Sequence, residues 1–154
     1  MEKIRKITIY LSNLSCIICA VLLINSCKMQ VKAGYIDDDK KSTETEIEKF
    51  HSRISSQDYE DIYNNSSPSF QKSVSKLDAI KAMEVTQEDC GQFDNIIDKR
   101  INVIVGTPVQ IRAVYSSKYS KRNVTEEFIF VKEDDQIKLV QYQKFNGITT
   151  LPDL

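Results

Sequence analysis

Apolar residues near the start of the chain form one short continuous run. Residues 16–24, Cys-Ile-Ile-Cys-Ala-Val-Leu-Leu-Ile, follow a start that carries Lys3, Arg5 and Lys6. A basic start before an apolar run of roughly 7–15 residues is typical of a secretory signal peptide. Extending the run back to residue 7 gives 18 mostly apolar residues, close to the roughly 20 that span a bilayer. The pattern predicts export, through either a cleaved signal peptide or an uncleaved membrane helix.

A polar stretch follows this run. Residues 28–43 lack an apolar period and carry the cluster Asp-Asp-Asp-Lys-Lys at 37–41. Asp37, Asp38 and Asp39 lack the spaced oxygen ligands and the glycine of a calcium loop, which favours a solvated linker over a cation site. The pattern predicts that residues 27–43 include a flexible tether.

Between residues 43 and 91, apolar residues recur at helical spacing. Ile47, Phe50 and Ile54 lie on one face of a first helix that is predicted to begin near Thr43. The later signals are Tyr59, Ile62 and Tyr63 for a short second helix, Pro68 for a further helical turn, and Ser75 and Gly91 as the cap and stop of a third helix.

After Gly91 the pattern changes to alternation between apolar and polar residues, which is typical of strands. Four strands are predicted near 95–105, 108–117, 123–133 and 136–145. Residues 128–131 are apolar on both faces, which predicts an interior strand. Helices followed by consecutive strands indicate an α+β domain, with an antiparallel meander sheet covered by the helices on its apolar face.

The end of the N-terminal apolar run resembles the lipobox of bacterial lipoproteins. Residues 24–27 read Ile-Asn-Ser-Cys, with an aliphatic residue three positions before the cysteine and a small one directly before it. The resemblance implies that residues 1–26 are a lipoprotein signal peptide and that Cys27 is the lipid attachment site. Two or three acyl chains on one residue would hold the protein firmly in the membrane. A plain transmembrane anchor and simple secretion are the alternatives.

The same resemblance implies a location. Lys28 follows Cys27, and in this family a residue other than Asp there favours the outer membrane, facing the periplasm, in a host with two membranes. The protein is then expected in the cell envelope. Cys16 and Cys19 would leave with the signal peptide, so Cys90 would be the one thiol of the mature domain and is interpreted as a small buried residue at a helix end.

Composition narrows the classes of partner. Lys and Arg total 21 against 22 Asp and Glu, and the formal net charge is −1. Nucleic-acid-binding domains usually carry a basic surplus, so no nucleic-acid partner is expected. One His and one remaining thiol do not make a recognisable zinc site, and no cofactor motif is present.

The order of the predicted elements resembles a cystatin-like cone of the nuclear-transport-factor-2-like superfamily. Within that superfamily the chain is similar to an uncharacterised family of exported bacterial domains, over residues 45–146. The resemblance rests on Phe50, Asp58, Tyr59, Tyr63, Ser-Pro-Ser-Phe at 67–70, Ser75, Gly91, Tyr119, Glu-Glu-Phe at 126–128 and the hairpin 134–142. It implies a domain over 44–147 with a short tail over 148–154, and no particular chemistry.

Two positions are candidates for chemistry. His51, the one histidine, falls at the edge of the apolar face of the first helix and is interpreted as a partly exposed surface residue. Glu126 and Glu127 lie on opposite faces of the third strand, so one of them is expected to point inward. That inward Glu is expected to pair with Arg100 or Arg112. No catalytic residue is assigned.

A hairpin tip carries a small basic cluster. Lys118, Lys121 and Arg122 share it with Tyr119, an arrangement that can contact phosphates or lipid head groups. A solvated tip that discourages pairing of strand edges is the favoured interpretation.

These observations predict a lipid-anchored, non-enzymatic binding module for a small apolar ligand or a protein partner. The alternatives are a small enzyme that uses His51 with an inward carboxylate such as Glu126, and an immunity or accessory lipoprotein.

Overall fold

A computed structural model describes residues 33–147, with side chains from residue 36. Its helices are α1 (Ala33–Ser56), α2 (Tyr59–Asn64), α3 (Pro68–Ser73) and α4 (Lys76–Cys90). Its strands are β1 (Phe93–Ile104), β2 (Gln110–Tyr119), β3 (Asn123–Glu133) and β4 (Gln136–Asn146). The predicted signal peptide, Cys27 and the C-terminal tail lie outside the described residues.

The strands form one antiparallel sheet in the order β1-β2-β3-β4. Helices followed by a four-stranded meander make this an α+β fold, as predicted. β3 lies between β2 and β4, which confirms that the strand with apolar residues on both faces is interior. β1 and β4 are the two edge strands.

The helices pack on one face of the sheet, and the core lies between the two layers. Alternation places Ile111, Ala113 and Tyr115 of β2 toward the helices, where they meet Ile47 and Phe50 of α1. Each of these five side chains is at most 4% exposed. Full burial of an aliphatic or aromatic side chain contributes on the order of 1.5–3 kcal/mol, so this face is a main source of the domain's stability.

The first helix is longer than predicted. α1 runs for 24 residues from Ala33, so the prediction of a flexible tether is wrong over residues 33–43, and Thr43 is not a helix cap. Thr43 is fully buried, and its Oγ1 donates to the carbonyl of Asp39 at 2.8 Å. Asp39 is also buried and accepts from Lys132 Nζ of β3 at 2.8 Å, so it is not part of a solvated linker.

Two of the predicted helix starts and one predicted stop are confirmed. Ser67 caps α3 by accepting the Phe70 N–H, with Pro68 at the first helical position. Ser75 caps α4 in the same way. Gly91 ends α4 at a φ of +82°, a region that side chains with a Cβ rarely adopt. Among residues 33–147, no helix is long and apolar enough to cross a membrane.

Candidate functional site

A fully buried carboxylate lies on the face of the sheet that the helices cover. Glu126 of β3 pairs with Tyr115 of β2 on one side and Lys144 of β4 on the other. This register turns its side chain toward the helices, and its exposed fraction is 0%. Alternation along β3 turns Glu127 to the opposite face, where it pairs with Arg112. The prediction that the two carboxylates diverge and that one points inward is confirmed.

Three donors surround the Glu126 carboxylate. His51 Nε2 of α1 lies 2.9 Å from Oε2. The hydroxyls of Tyr119 and Tyr142 donate to Oε1 at 2.9 and 2.8 Å. Because an ionised carboxylate only accepts hydrogen bonds, His51 Nε2 carries a proton. We call these four residues the carboxylate cluster.

The electrostatics of the cluster favour an ionised Glu126. Burial raises the pKa of this carboxyl, but the hydrogen bond and the charge interaction with His51, with smaller contributions from Ser117 and Tyr142, outweigh burial and lower it. Burial and the neighbouring Glu126 raise the pKa of Tyr119 and Tyr142. The two phenols therefore stay protonated donors to an ionised Glu126.

His51 is not the partly exposed residue that was predicted. Its exposed fraction is 3%, and its ring stacks on Phe93 with centroids 4.0 Å apart and planes 7° apart. Phe50 and Phe128 meet the ring edge-on at 6.0 Å. Among the described residues, its Nδ1 has no hydrogen-bond partner. The expected partner of the inward carboxylate, Arg100 or Arg112, is also wrong, because that partner is His51.

The hairpin tip and Cys90 meet at one end of the cluster. Tyr119 is buried inside rather than exposed at the tip, whereas Lys118 and Arg122 form ion pairs with Asp94 and Asp89. Cys90 is fully buried, which agrees with its interpretation as a small core residue.

Lys144 links this end of the cluster to the surface. Its Nζ lies 2.7 Å from Asp89 Oδ2 and 3.3 Å from Cys90 Sγ. Asp89 is thereby shared by two cations, Lys144 and Arg122. No group of three or more His, Cys, Asp or Glu side chains in the described part of the chain is placed to hold a metal ion.

A groove of about 650 Å³ lies beside the cluster, between α3 and α4 on one side and β4 on the other. We call it the β4 groove. Its lining residues are Phe50, Phe70, Ser73, Val74, Ala79, Ala82, Met83, Thr86 and all of 139–144. Tyr142 is the one member of the carboxylate cluster among them. Sequence reasoning did not find this groove, because its width depends on the distance between α4 and the sheet.

Comparison with known protein families and curated proteins assigns no family to this chain. No model of a known protein family matches the chain, and a search of curated proteins finds no match.

Proposed function

We propose that this protein is a lipid-anchored cell-envelope protein whose α+β domain is a non-enzymatic binding module, with the β4 groove as its binding site. The observation that carries the proposal is the contrast between a sealed carboxylate cluster and an open groove beside it. The arrangement of helices over a four-stranded antiparallel meander also supports the proposed likeness to cystatin-like cones.

The geometry of the cluster favours binding over catalysis. A general acid or base must come within hydrogen-bond distance of a substrate proton. Glu126 and His51 are buried at 0% and 3% exposure, and the oxygens of Glu126 are already held by three donors of the same chain. Only Tyr142 reaches the groove, and it does so as a protonated phenol. The cluster therefore serves to fix α1 against the sheet beneath the groove.

The groove has the size and chemistry of a ligand site. Small-molecule sites usually enclose about 300–1,000 Å³ and combine apolar walls with a few polar groups. The β4 groove falls within that range. Its apolar wall comes from Phe70, Val74 and Met83, and its polar groups include Thr86 and Lys144.

The proposed lipid anchor is inferred from the lipobox-like residues 24–27. The proposed location is the outer membrane, facing the periplasm, in a host with two membranes. Expressed in a bacterium, the wild type is expected to enter the detergent phase of Triton X-114 with a mass that shows cleavage before an acylated Cys27. The Cys27→Ala variant is expected to keep its full precursor mass. If both proteins keep residues 1–26 and stay in the membrane, the segment is a transmembrane anchor.

The groove is tested with 1-anilinonaphthalene-8-sulfonate, a small apolar anion that fluoresces when it leaves water. Ala82 is an exposed α4 residue of the groove wall. We expect Ala82→Trp to fill the groove and weaken dye binding about tenfold or more, which corresponds to roughly 1.4 kcal/mol.

Val85→Trp is the matched control, since Val85 is also an exposed residue of α4 but does not line the groove. Its dye affinity is expected to equal that of the wild type. Equal weakening by both variants, or by neither, would place the dye elsewhere and contradict the proposed site.

A further inference from the structure

The backbone edge of β4 forms one wall of the β4 groove. All residues of 139–144 line it. Successive side chains of a strand point to opposite faces of the sheet, so side chains alone would bring only alternate residues to one cavity. A continuous stretch lines the groove because the groove runs along the free edge of the strand, where backbone N–H and C=O groups point outward.

Within residues 33–147, this edge is open along most of its length. Among the described residues, the backbone hydrogen bond that reaches β4 from outside the sheet is at Leu139, whose carbonyl accepts the Ser67 N–H at 2.9 Å. That bond closes one end of the groove. Beyond Leu139 toward Lys144, the edge faces the groove.

The opposite wall of the groove is formed by α4. It has room for the side chains of an additional strand that pairs with β4. Ala79, Ala82, Met83 and Thr86 lie at helical spacing on one face of α4. The two alanines leave room, and Met83 offers a flexible apolar surface. A strand placed between β4 and α4 would turn alternate side chains onto this wall and the others toward solvent.

The charged side chain at the Lys144 end of the β4 groove indicates which chemical group of a ligand binds there. The residues that line the groove include Lys144 and no Asp or Glu. Outside the lining, Asp89 is shared between Lys144 and Arg122 at 2.7 and 3.1 Å. Lys144 is thus the one charged side chain that lines the groove, and its ammonium is the group that can meet an anion at this end.

We propose that the β4 groove binds an extended peptide segment of a partner protein, which pairs with β4 as a fifth strand and places an acidic residue near Lys144. The inference rests on the proposed binding function and names its ligand. Paired antiparallel to β4, the peptide would have its N-terminal residue beside Lys144 and its apolar residues on α4. A small amphiphile would cover the apolar wall of the groove but would leave the backbone N–H and C=O groups of the β4 edge without partners.

The probe is a fluorescently labelled peptide, acetyl-Glu-Thr-Val-Thr-Val-Thr-amide, in which Glu and the two Val residues share one face, titrated with the protein and followed by anisotropy. Two versions carry N-methyl groups on alternate amides, so that one version loses the donors that face β4 and the other loses those that face solvent. We expect one version to lose at least about tenfold in affinity and the other to bind within about threefold of the parent. Equal effects of the two versions would overturn strand pairing.

Lys144→Gln tests the anionic end. It is expected to weaken the parent peptide about tenfold while leaving unchanged the affinity of an analogue with Gln in place of Glu. An equal loss for both peptides would overturn the charge assignment. The N-methyl comparison uses the wild type, so it stands even if this variant fails to fold.

The dye separates this inference from the proposed function. If the dye binds and Ala82→Trp removes it, but no peptide binds, the groove takes a small apolar anion and the strand inference fails alone. If neither dye nor peptide binds, both fail.

Discussion

Replacing His51 with alanine is expected to lower the free energy of unfolding by about 3–5 kcal/mol at neutral pH. The substitution removes the His51 donor from an ionised carboxylate that is fully buried in the wild type, and leaves it the hydroxyls of Tyr119 and Tyr142. An uncompensated buried charge is among the most costly changes a core can suffer. Urea denaturation followed by circular dichroism measures the loss.

A second variant separates charge from packing. Combining His51→Ala with Glu126→Gln removes the charge and keeps an oxygen that can accept from Tyr119 and Tyr142. The double variant is expected to be more stable than His51→Ala alone. If it is less stable, the loss comes from the cavity left by the imidazole, which stacks on Phe93, and not from the carboxylate.

The loss of unfolding free energy caused by His51→Ala is expected to be smaller at acidic pH. In the wild type the pKa of Glu126 is lowered from its ordinary value of 4.5, so the stability it contributes is present above that value and is lost as the pH falls through the lower folded pKa. Without His51 the buried carboxyl is easier to protonate. The difference between the two proteins is therefore expected to shrink at pH values below about 4.5, as the wild type loses this contribution.

The second large effect is expected at Gly91. Its φ of +82° and ψ of −158° fall in a region that is essentially restricted to glycine, and an added Cβ would lie 2.1 Å from Ser120 Oγ. That hydroxyl also accepts the Gln92 N–H at 3.0 Å. Gly91→Ala is expected to cost about 3 kcal/mol, from backbone strain of about 1–3 kcal/mol and a lost hydrogen bond of about 1 kcal/mol. Thermal and urea unfolding measure the loss.

Gly147 provides the control. Its φ is +87°, and no atom of the described residues lies within 4 Å of an added Cβ. Gly147→Ala is expected to cost about 1 kcal/mol, from the backbone alone. A cost at Gly91 no greater than at Gly147 would show that the Ser120 loop moves aside freely.

The sequence predicted those parts of the fold that depend on local signals. Alternation after Gly91 predicted all four strands, and Pro68 and the cap at Ser75 predicted two helix starts, because each signal acts within a few residues. The first half of α1 was not predicted, because no local signal marks it. It lacks an apolar stripe, and it is held instead by Asp39 and Lys132, which lie far apart along the chain.

The site was predictable only in part. Strand alternation showed that one of Glu126 and Glu127 points inward. It could not show that His51, 75 residues away, is the partner, because a histidine at the edge of an apolar stripe is buried only if the sheet offers an acceptor. The β4 groove left no signal at all, since a concavity arises from the spacing between elements.

If Cys27 carries the proposed lipid anchor, the early start of α1 limits how far the domain can move from the bilayer. On the proposed anchor at Cys27, residues 28–32 separate the acylated residue from Ala33. Even fully extended, they span at most about 22 Å between those two Cα atoms, whereas a folded region beginning at residue 44 would have allowed about 60 Å. The domain would therefore work at the membrane surface, and any protein that pairs with β4 would have to be present at that surface.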